Sequence, residues 1–215
     1  MTDAIAGNDK RRRLSSEERR DEFVQKAIEF FAEEGFSSST RDLAKRLGVT
    51  QPLLYRYFDS KNDLISEVYE TVYVRRWRTD WEDLLAERSV PLRDRLLTFY
   101  RAYTDVVFQR DWMRIFLFAG LKGGEINRRY IDRVRGRVLE PIIREYRYEN
   151  GLPESDVTPE ETELAWSVHG GIYYFGVRTE IYGQKPIKGL DYVIETSIDG
   201  LLNGLDRFHG VARRR

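Results

Sequence analysis

Residues 39–64 read STRDLAKRLGVTQPLLYRYFDSKNDL, and this stretch decides the fold. Its apolar residues recur at the spacing of two short helices: Leu43, Ala44 and Leu47, then Leu54, Tyr57 and Phe58. Gly48 lies between the two sets, where a glycine lets the backbone turn through a positive φ. This spacing is typical of a helix-turn-helix, whose second helix enters the major groove of DNA.

Three segments of the same stretch follow a more specific pattern: Gly48-Val49-Thr50, Leu54 to Phe58, and Ser60-Lys61. Together they resemble the G-V-[ST]-x-x-x-L-Y-x-Y-F-x-[ST]-K signature of TetR-family transcriptional repressors, and the resemblance covers roughly residues 16 to 66. A helical hairpin that only packs needs hydrophobic periodicity, but it does not need Gly48, Tyr55 and Lys61 at these offsets. We therefore interpret the stretch as DNA-binding.

The composition of the 215 residues limits the other classes of function. The formal net charge is zero, with 36 basic and 36 acidic residues, so any attraction for nucleic acid has to be local. There is no cysteine, which excludes disulfides, zinc–thiolate sites and thiol nucleophiles. The two histidines, His169 and His209, are far apart, and neither a Gly-rich phosphate loop nor a paired-carboxylate motif is present. We therefore expect no enzyme activity, no metal site and no cofactor.

No segment predicts insertion into a membrane or export. The longest uncharged apolar run, 115–121, is far shorter than the roughly 20 residues of a membrane-spanning helix. The basic run 10–13 is followed by polar residues where a signal peptide would need apolar ones. We expect a cytoplasmic protein without a membrane partner. Residues 1–14 predict a disordered basic arm, which either follows DNA or is a solvated tail.

Capping patterns divide the chain into a head and a body. Ser15, Ser39 and Ser60 each have an acidic residue three positions later, which is the pattern of a helix N-terminus. Residues 15–60 therefore predict a three-helix DNA-binding domain built on the helix-turn-helix. Residues 61–215 show helical periodicity without a strand pattern, so the predicted fold is all-α, with a C-terminal helical bundle. The resemblance implies that this bundle serves ligand binding and dimerisation.

The body is predicted to begin with one long helix. No proline or glycine interrupts residues 61–88, and a continuous helix over this range would be about 40 Å long. Farther along, Pro141 is expected to kink a helix, because it removes a donor and crowds the preceding turn. Thr158 and Glu161 have the spacing of a capping box at the start of the next helix.

The last two predicted helices have apolar faces that are wider than one small bundle needs. The resemblance implies that they pair with those of a second subunit as a four-helix bundle, whereas the alternative makes both part of a monomer core. Two heads about 34 to 36 Å apart would meet successive major grooves on one side of the duplex. The expected partners are therefore a second copy of the chain and a palindromic operator in double-stranded DNA.

The resemblance also assigns contacts to the DNA backbone. Tyr55 is expected to place its hydroxyl on a phosphate, and Lys61 adds a positive charge where helix amides already favour an anion. Thr40 and Arg41, at the start of the second helix, are expected to contact phosphate from the other side. Such contacts position a protein on DNA and make binding salt dependent.

Base reading is expected of five residues in and around the recognition helix: Thr50, Gln51, Pro52, Leu53 and Arg56. Gln51 matches adenine, Pro52 or Leu53 matches a thymine methyl group, and Arg56 reaches either a guanine or a phosphate. Family members often have Gly or Ala and then Ser or Thr where this chain has Pro52-Leu53, so an apolar contact replaces a hydroxyl contact there. Tyr57 and Phe58 are expected to anchor the helix in the core.

After about residue 66 the resemblance fades, and the chain is rich in aromatic residues. Ten side chains are candidates for a small-molecule site: Trp77, Trp81, Phe99, Tyr103, Trp112, Phe116, Trp166, His169, Tyr173 and Arg178. The alternative is a well-filled core, with Arg178 in an ion pair with Glu180. Gly170, Gly171 and Gly176 indicate either a close helix contact or room for a ligand.

These features predict a dimeric, sequence-specific DNA-binding transcriptional regulator. By analogy with the family, it is a repressor that a small-molecule effector releases from its operator, through a movement of the long fourth helix that takes the two heads out of register. The alternative is an architectural protein of the same fold that binds DNA and senses no small molecule.

Overall fold

The computed structural model describes residues 15–121 and 125–212, and these residues form helices, π-helical turns and loops without a strand. The helices are α1 (Ser16–Glu34), α2 (Thr40–Leu47), α3 (Gln51–Leu54), α4 (Lys61–Tyr69), α5 (Asp80–Ala86), α6 (Leu92–Val107), α7 (Arg110–Gly120), α8 (Glu125–Val134), α9 (Glu140–Glu149), α10 (Pro159–Gly176) and α11 (Leu190–His209). The π-helical turns Glu70–Val74, Arg135–Leu139 and Val177–Ile181 continue α4, α8 and α10. The predicted all-α fold is confirmed, and the predicted basic arm lies outside the described residues.

Side-chain caps start the helices of the head where the sequence predicts them. Ser15 and Glu18 form a reciprocal capping box, in which the Glu18 N–H lies 3.1 Å from Ser15 Oγ and the Ser15 N–H lies 2.7 Å from Glu18 Oε2. The Ser39 and Ser60 hydroxyls each accept the N–H three residues later. Gly48 ends α2 in the left-handed conformation, at φ 70° and ψ 29°, and turns the chain into α3. The predicted helix-turn-helix is confirmed.

The predicted continuous helix over residues 61–88 is wrong. α4 and its π-helical turn end at Val74, residues 75–79 form a turn, and α5 begins at Asp80. Three acidic residues lie in the first turn of α5, where the helix dipole favours negative charge. These acidic residues are a sequence signal for a new helix start, and the uninterrupted helical periodicity concealed it.

Tertiary contacts explain why the chain turns at this point. Arg76 Nη2 lies 2.7 Å from Asp111 Oδ2 at the start of α7. Trp77 then packs edge-on against Trp81, with ring centroids 5.3 Å apart. Because Trp81 is only 2% exposed, the turn allows α5 to bury a large side chain that a straight helix would have carried away from the body.

The second half of the body follows the predicted caps. Thr158 and Glu161 form a capping box at the start of α10. Glu161 Oε1 lies 2.8 Å from His209 Nε2 at the end of α11, so α10 and α11 run antiparallel to each other. Pro141 lies in the first turn of α9, directly after a π-helical turn, and the kink expected at this proline stays a prediction.

Head and body share one apolar core. α1 packs against both α4 and α7, and the buried residues from Phe23 to Leu205 form one cluster. Arg114 on α7 also donates to the main-chain oxygens of Ala32 and Glu33 at the end of α1. The predicted boundary after residue 60, between the DNA-binding domain and the body, therefore does not separate two cores. It stays a prediction about which part of the chain serves which function. Across the described ranges, no helix has both the length and the apolar character needed to span a membrane.

Candidate nucleic-acid interface and aromatic cluster

The recognition helix α3 is short, and aromatic residues that follow it anchor it to the core of the head. It spans only Gln51–Leu54 and is followed by a turn that brings Tyr57 and Phe58 into the core. Phe58 is 2% exposed, and the Tyr57 ring packs edge-on against Phe23 with centroids 5.1 Å apart. The prediction that these two aromatic residues anchor the helix is confirmed.

The residues predicted to read bases lie on the accessible side of α3. Thr50, Pro52 and Arg56 are exposed, whereas Gln51 and Leu53 are partly buried. Thr50 also caps α3, since its Oγ1 accepts a hydrogen bond from the Leu53 N–H at 3.4 Å. The structure thus brings all five predicted residues together at one end of the head, and their contacts with bases stay predictions.

A hydrogen-bonded trio joins α2 to the recognition helix. Gln51 Nε2 donates to Thr40 Oγ1 at 2.8 Å, and the Tyr55 hydroxyl donates to the same oxygen at 3.3 Å. The bond to Thr40 is the main cause that lowers the pKa of the Tyr55 hydroxyl, with smaller effects of Gln51 and Lys61. Gln51 is therefore held in place before any base arrives. Arg41 follows Thr40 in the first turn of α2 and is exposed.

Lys61 has a structural role that the resemblance did not indicate. Its ammonium group donates to the main-chain oxygens of Phe36 at 2.6 Å and Ser38 at 2.5 Å. It also lies 6.0 Å from the centre of the Phe31 ring. Lys61 thereby fastens the α1–α2 connection to the start of α4, and its contact with a DNA phosphate stays a prediction.

Most of the predicted small-molecule candidates lie in one aromatic cluster. One group of neighbouring rings, with centroids 5.3 to 5.8 Å apart, consists of Trp77, Trp81, Phe99, Tyr103, Trp166 and His169. A second group, with centroids 5.1 to 6.3 Å apart, consists of Trp112, Phe116 and Tyr173. The cluster thus draws on α5, α6, α7 and α10, as well as the turn before α5.

Tyr130 on α8 joins the two groups, and sequence reasoning missed it. Its ring lies 6.0 Å from Trp77 and 5.0 Å from Trp112, and its hydroxyl lies 2.9 Å from that of Tyr103. Tyr73 was missed as well, although it contacts Trp112 at 5.0 Å and its hydroxyl donates to the main-chain oxygen of Trp112 at 3.0 Å. Tyr130, Val134 and Val138 recur every four residues, as on one face of a helix, so this periodicity was a usable signal.

The polar groups at the centre of the cluster are uncharged. His169 Nδ1 lies 3.3 Å from the Tyr100 hydroxyl, and Nε2 lies 3.5 Å from that of Tyr103. Burial lowers the pKa of His169 to about 4, and burial also raises the pKa of the Tyr103 and Tyr130 hydroxyls. At neutral pH this centre therefore holds hydrogen-bonding groups without a net charge. Among the described residues, no group of three His, Asp or Glu side chains is placed to hold a metal ion.

Neither the three glycines of α10 nor Arg178 belongs to the aromatic cluster. A Cβ atom at Gly176 would come within 2.5 Å of the Phe108 ring, so this glycine serves a close helix contact. Gly170 and Gly171 are exposed, and a Cβ atom there would meet nothing within 4 Å. Arg178 lies over the rings of Tyr174 and Phe175 and donates to Gln184 at 3.2 Å, so the cluster does not include it.

The head matches the family model described as bacterial regulatory proteins, tetR family, over residues 23–68. That range contains the helix-turn-helix, the Thr40–Gln51–Tyr55 trio and Lys61. Among curated proteins, none matches the chain.

Solved structures of TetR-family regulators share the fold. A TetR-like regulator from Rhodococcus sp. RHA1 is 16% identical, with a TM-score of 0.64 over 90% of this chain and 98% of its own. A regulator from Streptomyces coelicolor is 19% identical, with a TM-score of 0.62 over 91% and 85%. One from Pseudomonas syringae pv. tomato str. DC3000 is 20% identical, with a TM-score of 0.60 over 88% and 97%.

The identities are low, so these structures support the fold alone, while the family model matches the head over residues 23–68. The family consists of transcriptional regulators and not of enzymes. The head thus matches the tetR family of bacterial regulatory proteins, and the chain as a whole shares the fold of TetR-family regulators.

Proposed function

We propose that this DNA-binding regulator acts as a homodimeric repressor on a palindromic operator and that a small-molecule effector releases it. The observation that carries the proposal is the shortness of α3, which spans only Gln51–Leu54. Because so short a helix reaches few base pairs, recognition of a specific operator requires a second head. A two-fold dimer reads a palindrome, since both heads present the same residues.

On each half-site, two sets of residues divide the work. Tyr55, Thr40 and Arg41 contact phosphates, with Lys61 adding positive charge and holding the loop before α2 in place. Base reading falls to the accessible side of α3, where the exposed residues Thr50, Pro52 and Arg56 surround Gln51. Gln51 presents its amide to adenine while Thr40 orients it, and Pro52 with Leu53 meets a thymine methyl group.

The exposed side of α10 and α11 supports dimerisation through these helices. Gly170 and Gly171 on α10 and Gly200 on α11 are exposed, with nothing within 4 Å of a Cβ atom built on them. Small residues let helices of a second subunit approach closely. Exposed aromatic side chains on the same two helices supply apolar area for an interface: Tyr174, Tyr192 and Phe208, which are 54%, 54% and 49% exposed.

Two connections lead from the aromatic cluster to the head and support effector control. Tyr73, in the π-helical turn that continues α4, donates to the main-chain oxygen of Trp112. Arg114, on the same helix as Trp112, holds the last turn of α1 through Ala32. An effector that enters the cluster best when α4 and α7 have moved would shift the heads, and differential binding of this kind lowers operator affinity.

Selection of bound duplexes from a random pool tests the proposal. We expect a palindrome whose half-site centres lie about one helical turn apart or a multiple of it. A single, non-repeated motif would contradict dimeric reading. Enrichment without any motif would favour the architectural alternative.

A further inference from the structure

Two buried hydrogen-bond donors in the aromatic cluster have no partner. Trp81 is 2% exposed, and its Nε1–H, which can only donate, meets no acceptor among the described residues. The Tyr173 hydroxyl is also shielded from solvent and finds no partner in the described part of the chain. Buried polar groups are normally paired, so both positions call for an acceptor.

Other polar groups of the same cluster do have hydrogen-bond partners, in contrast to Trp81 and Tyr173. They pair with one another: Tyr103 with Tyr130 at 2.9 Å, Tyr100 with His169 at 3.3 Å, and Tyr73 with the main-chain oxygen of Trp112 at 3.0 Å. The cluster therefore satisfies its own hydroxyl groups wherever a protein acceptor is near. Trp81 and Tyr173 are the exceptions within this set.

Both donors border the region around Tyr130. Trp81 packs on Tyr103 at 5.4 Å, and the Tyr103 hydroxyl is bonded to that of Tyr130. Tyr173 packs on Phe116 at 6.0 Å, and the Phe116 ring lies 5.7 Å from that of Tyr130. Each of the two donors is thus one ring removed from Tyr130.

The rings around Tyr130 carry no charge of their own, although Arg133 acts to lower the pKa of the Tyr130 hydroxyl from the edge of the cluster. His169 is neutral, because burial lowers its pKa to about 4. Arg133 lies over the Trp77 ring, 5.6 Å from its centre, but this arginine is at the partly exposed edge of the cluster. A carboxylate buried among these rings would lose its hydration, and the partly exposed Arg133 would offset little of that cost.

We propose that the effector is an uncharged, flat aromatic molecule with a hydrogen-bond acceptor such as a ketone oxygen, held among the rings around Tyr130. The rings supply stacking and edge-on contacts, the Tyr173 hydroxyl and the Trp81 N–H donate to the acceptor, and the neutral lining rejects anions. This inference rests on the proposed effector control and specifies its chemical class.

Three probes of the same shape test the assignment without DNA: 2-acetonaphthone, 2-isopropenylnaphthalene, which lacks the acceptor, and 2-naphthoate, which is an anion. Equilibrium dialysis on the full chain should show that the ketone binds about threefold to tenfold more tightly than the alkene, which is the effect of one neutral hydrogen bond. The naphthoate should bind at least about tenfold more weakly than the ketone.

Single-residue variants test whether Tyr173 and Trp81 cause the preference for the ketone over the alkene. The ketone-to-alkene affinity ratio should fall toward one in Tyr173→Phe or Trp81→Phe and stay unchanged in Tyr182→Phe, which alters a tyrosine that is 68% exposed. Because each ratio is measured on one variant, a general loss of stability does not affect it. Equal or tighter binding of the naphthoate, no binding of any probe, or an unchanged ratio in both Tyr173→Phe and Trp81→Phe would overturn the inference.

A parallel operator-binding assay separates this inference from the proposed function. If an anionic compound released the operator, effector control would stand and the chemical class would be wrong. If the ketone bound with the expected preference and left the operator bound, the class of ligand would stand and release by that ligand would fail.

Discussion

The guanidinium of Arg114 donates to the main-chain oxygen of Ala32, so the middle of α7 holds the last turn of a helix that lies 82 residues earlier in the chain. A second donor of the same side chain reaches Glu33 at 3.3 Å. The carbonyl oxygens at a helix C-terminus lack intrahelical partners, and here a side chain of the body satisfies two of them. The helical body and the DNA-binding head are thus joined at a point other than α4.

Removing this contact should loosen the head. We expect Arg114→Met, which keeps an apolar stem, to lower the free energy of unfolding by about 1–2 kcal/mol, because charged hydrogen bonds to carbonyl oxygens are lost. Urea unfolding measures the change, and amide exchange in the last turn of α1 should accelerate. Arg110→Met, an exposed position on the same helix, is the control, and an equal loss in both variants would refute the role of Arg114.

Lys61 should matter for folding as well as for DNA. Lys61→Met removes the donor to Phe36 and Ser38, and we expect it to lower the free energy of unfolding by about 1–2 kcal/mol. Lys45→Met, at an exposed position of α2, should change it by less than about 0.5 kcal/mol. If urea unfolding gave both variants the wild-type stability, the lysine would serve DNA alone.

Gln51 and Tyr55 should differ in their effect on operator choice, although both bond to Thr40. Tyr55→Phe removes the proposed phosphate contact, so it should weaken binding to all sequences by a similar factor, about threefold to tenfold. Gln51→Ala removes a base contact and should change the preferred sequence. Selection from a random duplex pool compares the two, and the same altered motif from both variants would contradict this division.

The buried imidazole of His169 should make stability pH dependent. Below the unfolded value of 6.5 the unfolded chain binds a proton that the folded chain binds only near pH 4, so stability is full above pH 6.5 and falls as the pH decreases toward 4. Between pH 6.5 and 4.5 the loss should be about 2 kcal/mol. Urea unfolding should give His169→Gln a correspondingly flatter profile, and parallel profiles for both proteins would exclude this cause.

Much of the head could be predicted because its signals are local. The caps at Ser15 and Ser39 and the turn at Gly48 each depend on residues within one or two helical turns. The turn at residues 75–79 escaped prediction because the partners of Arg76 and Trp81 are 35 and 18 positions away, on α7 and α6.

The aromatic cluster and Lys61 were also only partly predictable, because their roles depend on contacts that are distant in sequence. The aromatic candidates were found by composition and periodicity, but Tyr130 became central only through its contacts with Trp77 and Trp112, on other parts of the chain. The role of Lys61 depends on carbonyl oxygens 23 and 25 residues away, which no spacing rule specifies. Arg178 has the right chemistry for a ligand, but it lies on the π-helical turn that continues α10 and contacts Tyr174 and Gln184 instead.

The most direct test of dimeric operator reading is the mass of the protein–DNA complex, measured by sedimentation with a duplex that carries the selected site. The wild-type chain should give two protomers per duplex. Gly200→Arg, placed on the open face of α11, should sediment as a folded monomer and bind the operator at least about a hundredfold more weakly, because the second head no longer adds its contacts. Gly136→Arg, also at an open position, should behave as wild type. A Gly200→Arg monomer that bound the operator with wild-type affinity would contradict the account.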